Sequence, residues 1–471
     1  MMRLHLLVPL FGLVSVSLLV SACSDEIIDG GGDGGAGGEA PTPTAGTGGG
    51  SSAAGAAGES GAGRACSTEG NGDVSLVVEG LPDGIDPDIT LEGPDSQSAS
   101  SAGVISIGAG DYVVSAKPVF DDDPIVRTMF SAKVSRPAIC VSGDAAQTVK
   151  ITYTEVASSN KLWMATGKDD ELAGFAAADI AETVMTDATV SIDTSGAGSL
   201  AFDKDGNLWA VGPTIGEDML VRIPAAELGE SGTRAPDIKI KVPEIECFPF
   251  INHIAFDPHG NLWLSACGDV LRRLNADDLK SSGDKVSDVL FTEVEANQGI
   301  AFDKDGNLWV AGPTLERFDA ARLDISDTDA ADLKLSITTA KGNKVLGGGE
   351  ELAFDKAGNL WGVAGSTVFQ IASSVLTRTG EQDVKANVSF DIDVLALSGT
   401  PAFDEGNGLW LSLASGEFGR FSPTQLGTSV DPGTPVVPDT LISSDSITSS
   451  LPIALFPAPQ GLPLYHSLPE E

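Results

Sequence analysis

Short runs of alternating apolar and polar residues fill the chain from Asp73 onward, divided by clusters of Gly, Pro, Asp and Ser. A period of two marks half-buried strands, and the dividing clusters are turn chemistry. Up to about Val156 the runs read VSLVVEG, DITLEGP, GVISIGAG, DYVVSAKPV, TMFSAKVS and TVKITYTEV. Short strands at such regular spacing predict a small antiparallel β-sandwich over residues 66–156. It carries no catalytic constellation, and a spacer role is the expectation.

A longer period governs residues 157–471. The chain has six tryptophans, Trp163, Trp209, Trp263, Trp309, Trp361 and Trp410, each directly after a leucine and 46 to 54 residues from the next. Five follow a matching strand and turn: LAFDKDGNLW, IAFDPHGNLW, IAFDKDGNLW, LAFDKAGNLW and PAFDEGNGLW. After each Leu-Trp pair comes a third apolar strand, a polar turn ending in an aliphatic residue (RIPAAEL, RLNADDL, QIASSVL, RFSPTQL), and a fourth β-rich run. Four strands in about 50 residues describe one blade of a β-propeller, with the Leu-Trp pair filling the contact between blades. The fold class is therefore all-β, a sandwich followed by a six-bladed propeller. The first unit lacks an A-F-D strand, and Ile453 to Phe456 stands alone near the end, so this segment is expected to close the ring on the first blade. Gly461 to His466 loosely echoes a Leu-Trp strand and keeps a seven-bladed count as the alternative.

Asp203-Lys204-Asp205-Gly206-Asn207 has the outline of a shortened calcium loop. The copies Asp257-Pro258-His259-Gly260 and Asp355-Lys356-Ala357-Gly358 drop the middle acid. What persists is Asp followed by Gly-Asn, which is hairpin chemistry: Asp accepts a backbone N–H and Gly tolerates positive φ. Function is expected where the repeats differ, at the start of each innermost strand. There the chain reads Ser199, His253, Gly299, Glu351, Thr400 and Pro452, preceded by Gly198, Asn252, Gln298, Glu350, Gly399 and Leu451. Asn252, His253, Gln298, Glu350 and Glu351 are the ligand or metal candidates at this channel mouth, being residue types suited to a divalent metal or to acid–base work. No cofactor is expected; a divalent metal is the alternative. Variable acidic loops after the Leu-Trp strands, Lys168-Asp169-Asp170, Glu217-Asp218 and Glu316-Arg317, are expected beside the mouth as partner contacts.

The A-F-D-x-x-G-N-L-W pattern resembles NHL-type and virginiamycin-lyase-type propellers, and more distantly gluconolactonase-type ones, over residues 160–460. The lyase resemblance implies His and Glu around the mouth with a magnesium ion; His253 and Glu351 stand in two such places, without a second channel histidine. The gluconolactonase resemblance implies a Glu, Asn and Asp set, partly matched by Glu351 and Asn252. The sequence itself favours a binding or scaffolding module for an extracytoplasmic ligand or protein, with a metal-dependent lyase or lactonase as the alternative.

Composition adds the compartment. Arg3, the apolar run Leu6 to Val20 and the small residues before Cys23 form a signal peptide over residues 1–22. LVSAC resembles the lipobox of bacterial lipoproteins, which implies cleavage before Cys23 and its lipidation; Ser24 then favours the outer membrane, on its periplasmic or cell-surface side. Residues 24–65 are nearly all Gly, Ala, Ser, Thr, Pro and acid, a tether with a reach of roughly 35 Å. Net charge is −39, with 67 acidic against 28 basic residues, which disfavours nucleic acid and leaves a protein or glycan ligand, with a monomer by default. Four further cysteines suit an oxidising compartment. Cys66 and Cys140 bracket the sandwich and are paired on that ground; Cys247 and Cys267 flank one blade's first two strands and are expected to pair.

Overall fold

The structure is a computed structural model that describes residues 66, 69–143, 145–167, 171–194, 198–212, 220–245, 251–266, 270–294, 298–339, 345, 351–392, 400–413, 416–431, 434–448 and 452–467. The leader, Cys23, the tether, Cys247, Cys267, Glu350 and the loops at 168–170 and 217–218 lie outside the described residues. The chain is all-β, built from many small sheets.

Two of these sheets belong to the N-terminal segment. One orders Gly103–Gly108, Asn71–Glu79, Gln147–Glu155, Met129–Val134 and Val119–Phe120; the other orders Gln97–Ala99, Asp88–Glu92, Gly110–Lys117 and Ala138–Val141. Alternate residues such as Val74, Leu76, Ile89, Leu91, Val149 and Ile151 turn inward into one shared core. The sheets are not wholly antiparallel as expected, because Asn71–Glu79 pairs in parallel with Gln147–Glu155. Parallel pairing needs a long crossover, which the intervening strands supply. Cys66 and Cys140 are joined in a disulfide, the pairing their positions suggested.

Among the described residues, six four-stranded antiparallel meanders follow. Their first two strands are Leu200–Phe202 with Leu208–Val211, Ile251–Phe256 with Leu262–Ala266, Ile300–Phe302 with Leu308–Val310, Glu351–Phe354 with Leu360–Ala364, and Ala402–Phe403 with Leu409–Leu413. The sixth is completed from the chain's end: Ile453–Phe456 pairs with Lys161–Ala165, Trp163 opposite Ala454. The six first strands touch one another in sequence and the last returns to the first, a closed cycle of contacts. Gly461–His466 adds no strand; its last residues enter a 3₁₀ turn, Tyr465–Ser467.

One hairpin recipe builds five of the meanders. In the first, Asp203 Oδ1 accepts the backbone N–H of Asp205 and Asn207, and Oδ2 accepts Trp209 Nε1 at 3.1 Å. The same Asp–Trp bond recurs at Asp257–Trp263, Asp303–Trp309, Asp355–Trp361 and Asp404–Trp410, all within 2.9–3.2 Å. Gly206, Gly260, Gly306 and Gly358 take φ of 74–81°, the left-handed region that costs glycine nothing. The Asn side chain then reaches across to the turn after the third strand, Asn207 Oδ1 accepting Ala225 N–H at 2.9 Å. Burial pushes the Asp203 carboxyl above its ordinary range, against the donors from Asn207 and Trp209 that favour the charged form. The unit without an Asp uses the Ser158 carbonyl for Trp163 Nε1.

Each tryptophan is fully buried and faces the next meander. Trp209, Trp263, Trp309 and Trp361 meet Phe256, Phe302, Phe354 and Phe403 edge-on at 6.0–6.4 Å, each Phe coming from the following A-F-D triplet. On the partner strand Arg222, Arg273 and Arg317 lie over the Trp209, Trp263 and Trp309 rings at 5.8–6.0 Å. Glu316 and Arg317 were expected in a loop beside the mouth. They lie in the third strand Leu315–Phe318, where Glu316 is fully buried and paired with Lys334 at 3.0 Å. Two adjacent charged residues just after Gly312-Pro313-Thr314 read as loop, which hid a four-residue strand.

Outer edges are strapped as well. The segment between the third and fourth strands of one meander adds in parallel to the preceding outer strand: Gly232–Thr233 to Val190–Asp193, Gly283–Asp284 to Ile238–Lys241, Gly380–Lys385 to Leu333–Thr338, and Val184–Met185 to Thr440–Ser443. This covers edges that would otherwise template association.

Candidate functional site

The six first strands surround a cavity of about 140 Å³. Their triplets supply an alanine each, Ala201, Ala255, Ala301, Ala353, Ala402 and Ala454, flanked by Leu, Ile, Pro and Phe. Between its two ends the cavity is thus walled by apolar side chains.

One end is filled by the C-terminal segment. Tyr465 stacks on Phe256 with ring centroids 5.3 Å apart and lies under Lys204 at 5.0 Å. His466 packs against Phe456 and Phe202, its Nε2 3.2 Å from the Leu455 carbonyl. That packing outweighs the part of the ring that solvent reaches, and burial pushes the His466 pKa down to about 4. This is the end of the Asp-x-x-Gly-Asn hairpins. The N-terminal segment docks there too: Gly406 N–H donates to the Pro124 carbonyl at 2.7 Å, and Arg127 Nη2 donates to the Ala458 carbonyl at 3.1 Å.

At the other end the first strands begin, and three of them bring polar side chains together. His253 Nε2 lies 2.8 Å from Thr400 Oγ1 and 3.1 Å from Glu351 Oε2; Thr400 Oγ1 donates to that same carboxylate oxygen at 3.5 Å. These residues belong to three different meanders, 49 to 147 positions apart in sequence. His253 is 4% exposed, and its Nδ1 is buried without a hydrogen-bond partner. Ser199, at the same register position in its own strand, accepts the Ile254 N–H at 3.1 Å and so holds the neighbouring strand that carries His253.

Of the residues singled out from sequence, His253 and Glu351 are brought into contact. Gln298 contributes its backbone, its carbonyl accepting Ser265 Oγ at 2.6 Å. Glu350 and the Asn252 side chain lie outside the described residues. Thr400 was not among the candidates, although its register position, one residue before P-A-F, equals that of His253 and Glu351. Among the described residues, the one group of three metal-ligand types is Cys66, Asp111 and Cys140, where the disulfide occupies both sulfurs.

No protein family and no curated protein matches the sequence. Among solved structures, the chain is similar to a protein of unknown function from Bacteroides caccae, with 12% identity and a TM-score of 0.37 over 60% of this chain and 97% of that one. It is also similar to a protein described as the extracellular domain of a one-component system from B. thetaiotaomicron, with 17% identity and a TM-score of 0.32 over 71% of this chain and 44% of that one. Both likenesses are too distant to carry a function across. Among the described residues no helix is long and apolar enough to cross a membrane.

Proposed function

We propose that residues 157–471 form a six-bladed β-propeller that binds a ligand at the end of its channel marked by His253, Glu351 and Thr400. The six meanders, the closed cycle of first strands and the completion of the first meander by Ile453–Phe456 support the architecture. The N-terminal sheets, docked at the hairpin end, act as a spacer, and a lipid on Cys23 tethers the whole to an outer membrane through residues 24–65.

One observation supports the binding reading: three variable positions of otherwise uniform repeats meet in a partly buried polar cluster at the channel end that the C-terminal segment leaves alone. Repeats converge on scaffold residues for folding; a His, a carboxylate and a hydroxyl at one register position have no such role, and function on shared folds resides in such local departures. A ligand-observed NMR screen of small polar and amphipathic fragments, with divalent cations included, tests this. Fragments that bind wild type and lose contact in His253→Ala and Glu351→Ala are expected. Hits indifferent to both substitutions would move the site elsewhere.

A further inference from the structure

A strap covers one sheet edge and presents another of its own. Val184–Met185 lies along Thr440–Ser443, with Val184 opposite Ile442 and Met185 opposite Ser443. It is pinned on both sides: Leu441 N–H donates to Thr183 Oγ1 at 3.0 Å, and Thr186 N–H donates to the Ser443 carbonyl at 3.0 Å. Backbone groups alternate in direction along a strand. With Thr186 N–H turned toward the sheet, the Met185 N–H and C=O face away from it, the exposed row that templates a further strand. Among the described residues this strap is the outermost strand of its sheet.

The repeats supply the comparison. At the same ladder step the other straps set Gly232-Thr233, Gly283-Asp284 and Gln382-Asp383, glycine and polar or charged residues that make poor templates. Of these four straps only this one sets two apolar residues there, and Val184 is 41% and Met185 68% exposed. Glu182 and Asp187 flank them, both exposed, with no basic residue from Ala181 to Asp187. That charge decides between occupants. A second copy, paired antiparallel through Val184 and Met185, would set Glu182 opposite Asp187, and like charges directly opposite destabilise a ladder.

We propose that residues 182–187 are a docking edge for a partner protein, which adds one extended strand carrying two apolar residues between basic ends. Main-chain bonds to Met185 hold the strand, Val184 and Met185 take its apolar side chains, and Glu182 and Asp187 select Lys or Arg at its ends. The edge lies outside the cycle of first strands, so this inference is independent of the channel.

Fluorescence anisotropy of the labelled hexapeptide KTVITK with the full chain tests it. KTVITK is expected to bind wild type, and about tenfold more weakly to the double variant Glu182→Lys with Asp187→Lys, in which two exposed attractions become repulsions. That variant should in turn accept ETVITE, which wild type refuses. Methylating both central amide nitrogens of KTVITK should abolish binding, because strand addition needs main-chain donors and a merely electrostatic contact does not. No binding of KTVITK to wild type, or binding that ignores either the charge reversal or the methylation, overturns the proposal. A concentration-dependent dimer of wild type in sedimentation, lost in Met185→Asp, would make the occupant a second copy and overturn it equally. The fragment screen reads the channel separately, so failure here leaves that reading standing.

Discussion

Asp303 shows what a single repeated residue does. It accepts the backbone N–H of Asp305 at 2.9 Å and of Asn307 at 3.0 Å, Asn307 Nδ2 at 2.9 Å and Trp309 Nε1 at 3.0 Å. A carboxylate has about four acceptor positions, and all are used. The residue thereby couples a turn to the orientation of a fully buried indole, which in turn meets Phe354 of the next meander. Asp303→Ala strands several of these donors and is expected to cost about 2–4 kcal/mol in urea unfolding, with Asp303→Asn costing less because one acceptor oxygen remains. A loss under about 1 kcal/mol for Asp303→Ala would mean that the turn holds without its carboxylate. The motif that looks like a truncated calcium loop is thus a hydrogen-bonded hairpin whose acid has no lone pair to spare.

At the scale of the element, the informative hairpin is the irregular one. Its sequence E-G-N-G inverts the usual Gly-Asn, so Asn407 takes the left-handed position at φ 61° and Gly408 stands where Asn is elsewhere. A Cβ at Gly408 would lie 2.5 Å from Arg420 Cζ, because Arg420 has moved in to pair with Asp404. The inversion coincides with the docking of the N-terminal sheets, where Glu405 and Gly406 N–H donate to the Ile125 and Pro124 carbonyls. Gly408→Asn alone is therefore expected to destabilise by roughly 1–3 kcal/mol through overpacking. Adding Arg420→Gln, the residue type that stands at the matching position as Gln370, should recover much of that loss in a double-mutant cycle of chemical unfolding; strict additivity would remove the proposed clash. The strand and hairpin pattern was readable from the sequence because each hairpin carries its own turn residues and periodicity. The outer straps were not: Gly232–Thr233 and Val184–Met185 are two residues long and take their pairing from a neighbour more than 30 positions away. The parallel pairing of the N-terminal sheets escaped for the same reason. His253 and Glu351 were legible as register departures, whereas Thr400 was passed over because threonine is an ordinary strand residue, and only its 2.8 Å approach to His253 gives it a role.

For the whole molecule, the decisive segment is the C-terminus. Ile453–Phe456 completes the first meander from within the cycle of first strands, while Val184–Met185 ties that meander to Thr440–Ser443 on the outside. The following residues then fill the hairpin end of the channel, with His466 between Phe202 and Phe456. Filling that end makes the two ends of the channel unlike, and the ligand we propose is left the His253 end. It gives closure a pH dependence as well. In the fold the His466 pKa is lowered to about 4 by burial, below its ordinary 6.5. Between these values the unfolded chain takes up a proton that the folded chain refuses, so stability falls with decreasing pH across that window. The contribution is whole above 6.5 and lost as pH passes through about 4. His466→Phe keeps an aromatic ring between Phe202 and Phe456 and has nothing to protonate. Thermal melts from pH 7 to pH 4 should therefore fall less steeply for His466→Phe than for wild type, with the curves closest in slope above pH 6.5. Parallel curves throughout would mean that the ring is protonated in place, at no cost to closure, and that acid lability resides in the carboxylates instead.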